Sequence, residues 1–235
     1  MLERHYTKIL LMIVACGVFF HFNVWLFISA IIYGWIISGI TVAVVLHRQL
    51  SHRLFEFKNR TIKLICYALL IIAGHGSPIG WAAVHRVHHT KTDTEDDYQS
   101  PHTVGRLKTM FSWYWLKVPR PKQMIDLLKD KDLLFVHQYH KIIFTAYVTI
   151  LYMIDPVLAF YFAGLGPLVC LLLPGLVNTF GHDDYSKEGG TMAKDLPCAL
   201  LFWGENNHKQ HHLDATAMRL AKYDLAYFFI KLIRK

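Results

Sequence analysis

Two stretches of this chain carry almost no charge, and they decide most of what it can fold into. Residues 9–46 contain no Lys, Arg, Asp or Glu, and residues 142–181 contain only Asp155. As helix, the first stretch would extend about 57 Å at about 1.5 Å per residue, close to twice the ~30 Å hydrocarbon thickness of a bilayer. Each stretch is therefore predicted to fold as two antiparallel spans, broken at "HFN" (residues 21–23) and at "DP" (Asp155, Pro156). The first arm of each hairpin, roughly 13 residues, is shorter than the ~17–25 of a full span. The rival reading is a pair of buried core hairpins in a soluble protein.

All 25 Lys and Arg lie outside the two stretches, so two hairpins put every one of them on one side of the membrane. By the positive-inside rule that side is cytoplasmic, with the active region and both termini on it. The net charge of +8 then reads as attraction to anionic lipid head groups or to an anionic substrate handle. No nucleic-acid-binding motif is present, and the basic residues flank spans without forming a stripe, so no nucleic acid is expected. The N-terminal apolar run continues well past Cys16, which reads as an uncleaved span and not as a signal peptide. Cys16, Cys66, Cys170 and Cys198 form no CxxC and read as reduced packing residues.

The expected organisation is one domain over residues 1–235. A first hairpin (9–46) precedes a cytosolic cap (47–141), which includes a short apolar segment, 64–74, too short to span. A second hairpin (142–181) and a C-terminal cytosolic part (182–235) follow. "SWYW" (residues 112–115) suits the head-group level, and the closing "LAKYDLAYFFIKLIRK" reads as an interfacial helix.

Nine of the 15 histidines fall where spans or apolar segments meet the cytoplasm. They are His47 and His52 in "HRQLSH", His85, His88 and His89 in "HRVHH", His182 in "NTFGH", and His208, His211 and His212 in "HKQHH". Positions i, i+3 and i+4 share one helical face, so each trio can present three imidazoles in one direction. His47 and His52, five apart, do not share an α-helical face and are expected at an unwinding end. Asn178, one turn before His182, shares its face. Imidazole suits zinc, copper, iron and nickel, and one zinc takes about four ligands, so nine histidines imply two metals. A site facing a bilayer meets acyl chains, whose C–H bonds call for an O₂-activating redox metal. His137 and His140 are i, i+3 but lack a third ligand nearby. His5, His21 and His102 read as surface or interface residues.

These motifs, in this order from about Thr41 to the C-terminus, resemble those of the membrane-bound fatty acyl desaturases of the stearoyl/palmitoyl Δ9 type. "HRQLSHR" is similar to the family's HRxxSHR, and "GSPIGWAAVHRVHH" to its GxPIxWxxxHRxHH followed by an acidic DTExD-like stretch. "NTFGH" is similar to NxxxH, "GENNHKQHH" to GExxHxxHH, and "KYDLAYFFI" to the segment that follows it. The resemblance implies an all-α integral membrane protein, four transmembrane helices as two hairpins under a helical cytosolic cap that holds a di-iron site. It makes His47, His52, His85, His88, His89, His182, His208, His211 and His212 ligands of two iron ions, with Asn178 contributing through water and O₂ as co-substrate. It also implies an acyl tunnel near His75 and Trp81. Glu205, Asp93 and Asp97, with Glu95 and Asp96 as weaker candidates, would orient the ligand rings.

The implied partners are an acyl-CoA, acyl-carrier or acyl-lipid substrate, the lipid bilayer, and a separate electron donor of ferredoxin or cytochrome b5 type, since no HPGG-like haem motif occurs. His75 stands where the family usually has Gln, and Lys209–Gln210 replace its common pair inside the third box. A histidine-box hydroxylase of fatty acyl, alkane or carotenoid substrates would share the centre. From another class, a non-enzymatic membrane metal- or haem-binding protein is the rival.

Overall fold

The computed structural model describes residues 5–112, 121–182 and 191–235. Among these residues the backbone is helical, with no β-strand and only two isolated bridges, Phe57–Arg234 and His182–Ala193. Helix α1 (Tyr6–Phe19) tightens to a 3₁₀ turn at its end. Helix α2 (Val24–Ser51) is α-helical to Ser38 and π-helical from Gly39 to Ser51. Helices α3 (Arg60–Ile72), α4 (Pro78–Lys91) and α5 (Lys131–Ile154) follow. Helix α6 (Pro156–Phe180) has a π-helical stretch at Phe160–Leu165, and two short helices follow it, α7 (His208–Leu213) and α8 (Leu225–Ile233); shorter helical turns lie between α4 and α5. Of these, α2 and α6 are long and apolar enough to cross a membrane.

The two expected breaks are helix starts. Asn23 caps α2, its side-chain oxygen accepting from the amides of Trp25 (2.9 Å) and Leu26 (3.1 Å). Asp155 caps α6 through the amides of Val157 (2.8 Å) and Leu158 (3.3 Å), and Pro156 occupies the first helical position, where its missing N–H costs nothing. The Tyr161 hydroxyl ties the turns together: it accepts from Asn23 N (2.6 Å) and donates to the His21 carbonyl (3.0 Å). Helices α2 and α6 pack along each other. A Cβ at Gly34 would run into the Gly166 carbonyl, and one at Gly164 into the backbone of Ala15. Backbone-to-backbone packing of this kind is how apolar helices associate without help from the hydrophobic effect.

Two helices run beyond the uncharged stretches. Helix α2 continues past residue 46 to Ser51 and carries His47 within it. The helix that carries the apolar stretch from 142 starts earlier, α5 beginning at Lys131. The reason is Asp130, whose carboxylate accepts from the amides of Asp132 (3.0 Å) and Leu133 (3.2 Å). The same carboxylate receives Lys63 (3.2 Å) and the Tyr67 hydroxyl (3.1 Å) from α3, which packs along α5. The 64–74 segment is thus the body of α3, with Cys66, Tyr67, Leu70 and Ile71 buried. Residues 113–115 of "SWYW" lie outside the described residues. All four cysteines are free, Cys66 and Cys170 buried, Cys16 and Cys198 exposed. His5, expected at the surface, is buried at the start of α1.

Asp130→Ala removes the cap of α5 together with its ties to Lys63 and Tyr67. The expected cost is about 1–2 kcal/mol, read as a lower unfolding midpoint in detergent micelles. An unchanged midpoint would show that the cap does not hold α5 in place.

Candidate metal centre

The π-helical end of α2 answers the spacing of the first two histidines. With i→i+5 closure, as in the His52 N to His47 O bond (3.1 Å), residues five apart lie nearly above one another. The His47 and His52 rings therefore meet at 4.8 Å. Arg86 of α4 clamps this end, donating Nε to the Ser51 carbonyl (3.0 Å) and Nη2 to that of Leu50, which would otherwise lack helical partners. Its other donors hold Asp126 (2.8 and 2.9 Å) and the Gln123 carbonyl (2.7 Å), so the loop before α5 is fixed to the same point.

The nine histidines converge as two groups. His47, His52, His85, His89 and His211 form one, and His88, His182, His208 and His212 the other; within each, the ligand atoms all lie within 4.8 Å of one another. Neighbouring Nε2 atoms are 2.8 Å apart for His47–His211, 3.0 Å for His89–His211, 3.1 Å for His85–His89 and 3.3 Å for His52–His85. In the second group they are 3.0 Å for His182–His208 and 3.2 Å for both His88–His212 and His208–His212. A metal–imidazole bond of about 2.0–2.1 Å puts neighbouring ligands about 2.9–3.4 Å apart. The donor set therefore fits one metal ion per group.

The outward nitrogens support the same reading. Nδ1–H of His85 donates to Gln99 Oε1 (3.0 Å), that of His88 to Asp97 Oδ2 (2.8 Å) and that of His182 to Asp93 Oδ2 (3.0 Å). His47 Nδ1 lies 2.6 Å from Glu205 Oε2. A ring whose Nδ1 carries the proton turns a lone pair inward from Nε2, which is the form a metal binds. Nε2 atoms converging at about 3 Å suit a shared cation. Burial, with the charges of neighbouring rings, holds His85, His89, His208, His211 and His212 well below the usual imidazole range. Burial likewise brings His52 down to about 4.

The expected acidic partners separate into two kinds. Asp93, Asp97 and Glu205 touch ligand rings, whereas Glu95 and Asp96 are exposed. Asp93 sits in the left-handed region (φ 57°), a conformation that a short polar side chain tolerates. Burial acts to raise its pKa, but hydrogen bonds from His182, Ser100 and the Met192 amide outweigh this and lower it. Glu205 is pushed up to about 8 by burial and by Asp224, against the pull of Arg48. Arg48, fully buried, lies 2.9 Å from both Glu205 Oε1 and Asp224 Oδ1. Asp224 in turn caps α8 through Tyr227 N (2.8 Å) and accepts from Leu220 N (2.8 Å). The first and third histidine boxes and the C-terminal helix are thus joined through one guanidinium.

Asn178 and Trp81 line an open cavity together with His47, His85 and His208. Trp81 also stacks on His85, with ring centroids 5.1 Å apart. His75 does not line this cavity. It is buried with Nε2 3.1 Å from Cys170 Sγ. His137 and His140 belong to neither metal group: His137 Nδ1 meets Ser77 Oγ (2.6 Å), and His140 Nδ1 donates to the His137 carbonyl (2.7 Å). Gln99, Arg48 and Arg86 were not among the expected site residues. The signal for the two arginines was available, because a cation beside an apolar span has to find a buried acid or carbonyl.

The fold and the site define a helical protein with a buried, all-histidine centre sized for two metal ions at the end of two apolar helices. Residues 22–227 match the fatty acid desaturase family, and the chain belongs to that family. It is 29% identical over 208 residues to an Arabidopsis thaliana protein named "Probable lipid desaturase ADS3.2, chloroplastic", covering 77% of this chain and 53% of that one. It is 27% identical over 197 residues to the sn-1 stearoyl-lipid 9-desaturase of Anabaena variabilis, covering 78% and 70%. To the hex-5-enoyl-[acyl-carrier protein] acetylenase of Moorena producens it is 25% identical over 237 residues, covering 86% and 72%. The chain thus spans about half the length of the first of these relatives.

In the metal-free protein His52 binds its proton near pH 4 when folded but near 6.5 when unfolded. The unfolded chain therefore holds more protons between these values, so stability present above pH 6.5 is lost as pH falls toward 4. The unfolding midpoint of metal-free protein is expected to drop between pH 7 and pH 5. A midpoint that holds or rises over this interval would contradict neutral, buried ligand rings.

Proposed function

We propose that the chain is an O₂-dependent fatty acyl desaturase that introduces a cis double bond, of Δ9 type, into a saturated acyl chain. The observation that carries this reading is the cavity. Ligand rings from both metal groups (His47 and His85 from one, His208 from the other) form one part of its wall, and Ser38, Gly39, Val42, Leu173 and Pro174 of the two apolar helices form another. A methylene chain is the substrate whose chemistry suits both walls. The relatives' names span lipid-bound and carrier-protein-bound acyl groups, and their common chemistry is removal of hydrogen from an acyl chain.

His47, His52, His85, His89 and His211 would hold one iron and His88, His182, His208 and His212 the other, with Asn178 completing the second through water. Bound iron supplies the oxidising power drawn from O₂. Overall, two hydrogens leave adjacent methylenes and O₂ becomes two waters, with two electrons and two protons entering from a separate donor of ferredoxin or cytochrome b5 type. The protein's own part is positioning. The cavity walls hold one C–C bond beside the ligand rings and exclude water. Asp93, Asp97, Gln99 and Glu205 keep the rings aimed and their lone pairs inward.

Four spans in two hairpins, with the histidines on the cytoplasmic side, complete the proposal. Phe19, Phe20, Phe22 and Trp25 at one turn, and Met153 and Ile154 at the other, are each at least 66% exposed. Large apolar side chains gathered at the ends away from the histidines suit lipid and not water. The positions of all 25 Lys and Arg outside the apolar stretches support the cytoplasmic orientation.

The test is gas chromatography–mass spectrometry of total fatty acids from a bacterial host expressing the chain together with a ferredoxin or cytochrome b5 donor, beside a His208→Ala control. A new cis-monounsaturated acid, absent from the control, is expected, and derivatisation of the double bond gives its position. Hydroxylated chains would overturn the reading in favour of a hydroxylase. No new product from iron-loaded protein would overturn it outright.

A further inference from the structure

The Trp203 indole lines the apolar part of the cavity beside Gly39. Gly39 lies eight residues before His47 on α2, at the start of its π-helical part. The Trp203 indole covers Gly39 so closely that a Cβ there would overlap the ring. Trp203 is held in that place at some cost. Its backbone is left-handed (φ 53°), a conformation an aromatic residue rarely adopts, and Gly204 after it is also positive (φ 92°). Its indole N–H is buried and has no acceptor among the described residues, an unmet donor of a kind that folded proteins seldom keep.

The ring is nevertheless fixed from several directions. Trp35 packs against it with centroids 5.6 Å apart, and Phe229 of α8 lies at 6.5 Å. Trp35 Nε1 donates to the carbonyl of Leu201 (3.1 Å), anchoring the loop that carries Trp203. Two residues on, Glu205 is anchored at His47 and Arg48. The indole is therefore set at a fixed depth relative to the metal ligands.

We propose that Trp203 is the floor of the acyl cavity and sets the chain length the enzyme accepts. The inference rests on the desaturase reading above. A polar acyl head is expensive to bury within the spans, so the methyl end of the substrate points away from the histidines toward Gly39 and Trp203. The indole then limits how many methylenes fit between the reacting bond and the methyl end. A chain one step too long must either leave its reacting carbon out of place or displace a ring that is clamped on three sides.

The test is a product profile. The chain, Trp203→Ala and Trp203→Phe are each expressed with the donor in a host fed saturated fatty acids from lauric to arachidic. In Trp203→Ala the ratio of longer to shorter unsaturated products is expected to rise about tenfold or more, the size of effect that a methylene in an apolar pocket produces. Trp203→Phe shifts it the same way by less, and the double bond keeps its position counted from the carboxyl end. A purely structural role would lower yield without changing the ratio. Either variant yielding products at the wild-type length distribution overturns the proposal, as does loss of all product in both variants while wild-type iron content is retained. If Trp203→Ala fails to fold, Trp203→Phe decides by its ratio; if neither folds, the ring is structural and the proposal falls. Absence of product from the unsubstituted chain would instead fail the desaturase reading itself.

Discussion

The whole structure turns on aiming nine imidazoles, six of them buried and three half-buried, at two points. A ring in water has no reason to face another nitrogen to nitrogen, and burial without a partner is costly. Here each group of rings meets at the separation a metal ion imposes, and the outward nitrogens of His85, His88 and His182 are each held by an oxygen. The acceptors are not equal. Asp93 and Asp97, both carboxylates, stand behind the four-histidine group, whereas the five-histidine group has Glu205 behind His47 and the neutral amide of Gln99 behind His85. The two metal positions are therefore built with different electrostatic surroundings from the same ligand type.

The scaffold meets this demand by bending the rules of regular helix at one place. A continuous α-helix would turn His47 and His52 away from each other, and the π-helical end of α2 brings them together. A π-helix is a rare and less favourable backbone, and its end is secured by Arg86 from α4. Arg48, one residue after the first ligand, ties the same helix to Glu205 and Asp224. Breaking that pair would leave buried charge uncompensated, which costs far more than the pair contributes. The centre is thus braced by two arginines, Arg48 and Arg86, neither of which lines the cavity.

Much of this was legible in the residues themselves. The two uncharged stretches located the paired apolar helices and their turns, because Asn23 and Asp155 sit where caps must be. The i, i+3, i+4 spacing of the trios needed only α-helical geometry. What escaped sequence reasoning depended on departures from regular backbone or on distant contacts. The π-helix carries α2 past the uncharged stretch to Ser51, and the Asp130 cap starts α5 at Lys131, ahead of the stretch that begins at 142. Gln99 reaches His85 only because the acidic loop doubles back, and Trp203 reaches Gly39 only through a left-handed backbone. His75, placed near the tunnel by resemblance, contacts Cys170, whose carbonyl accepts from Ser38 in the cavity wall.

The most direct measurement is metal stoichiometry joined to X-ray absorption at the iron edge on protein purified aerobically in detergent. The account requires two irons per chain with a first shell of light N/O scatterers at about 2.0–2.2 Å, imidazole multiple scattering, and no sulfur. One metal per chain, or a shell containing sulfur or lacking the imidazole pattern, would contradict the assignment of two groups of five and four histidines.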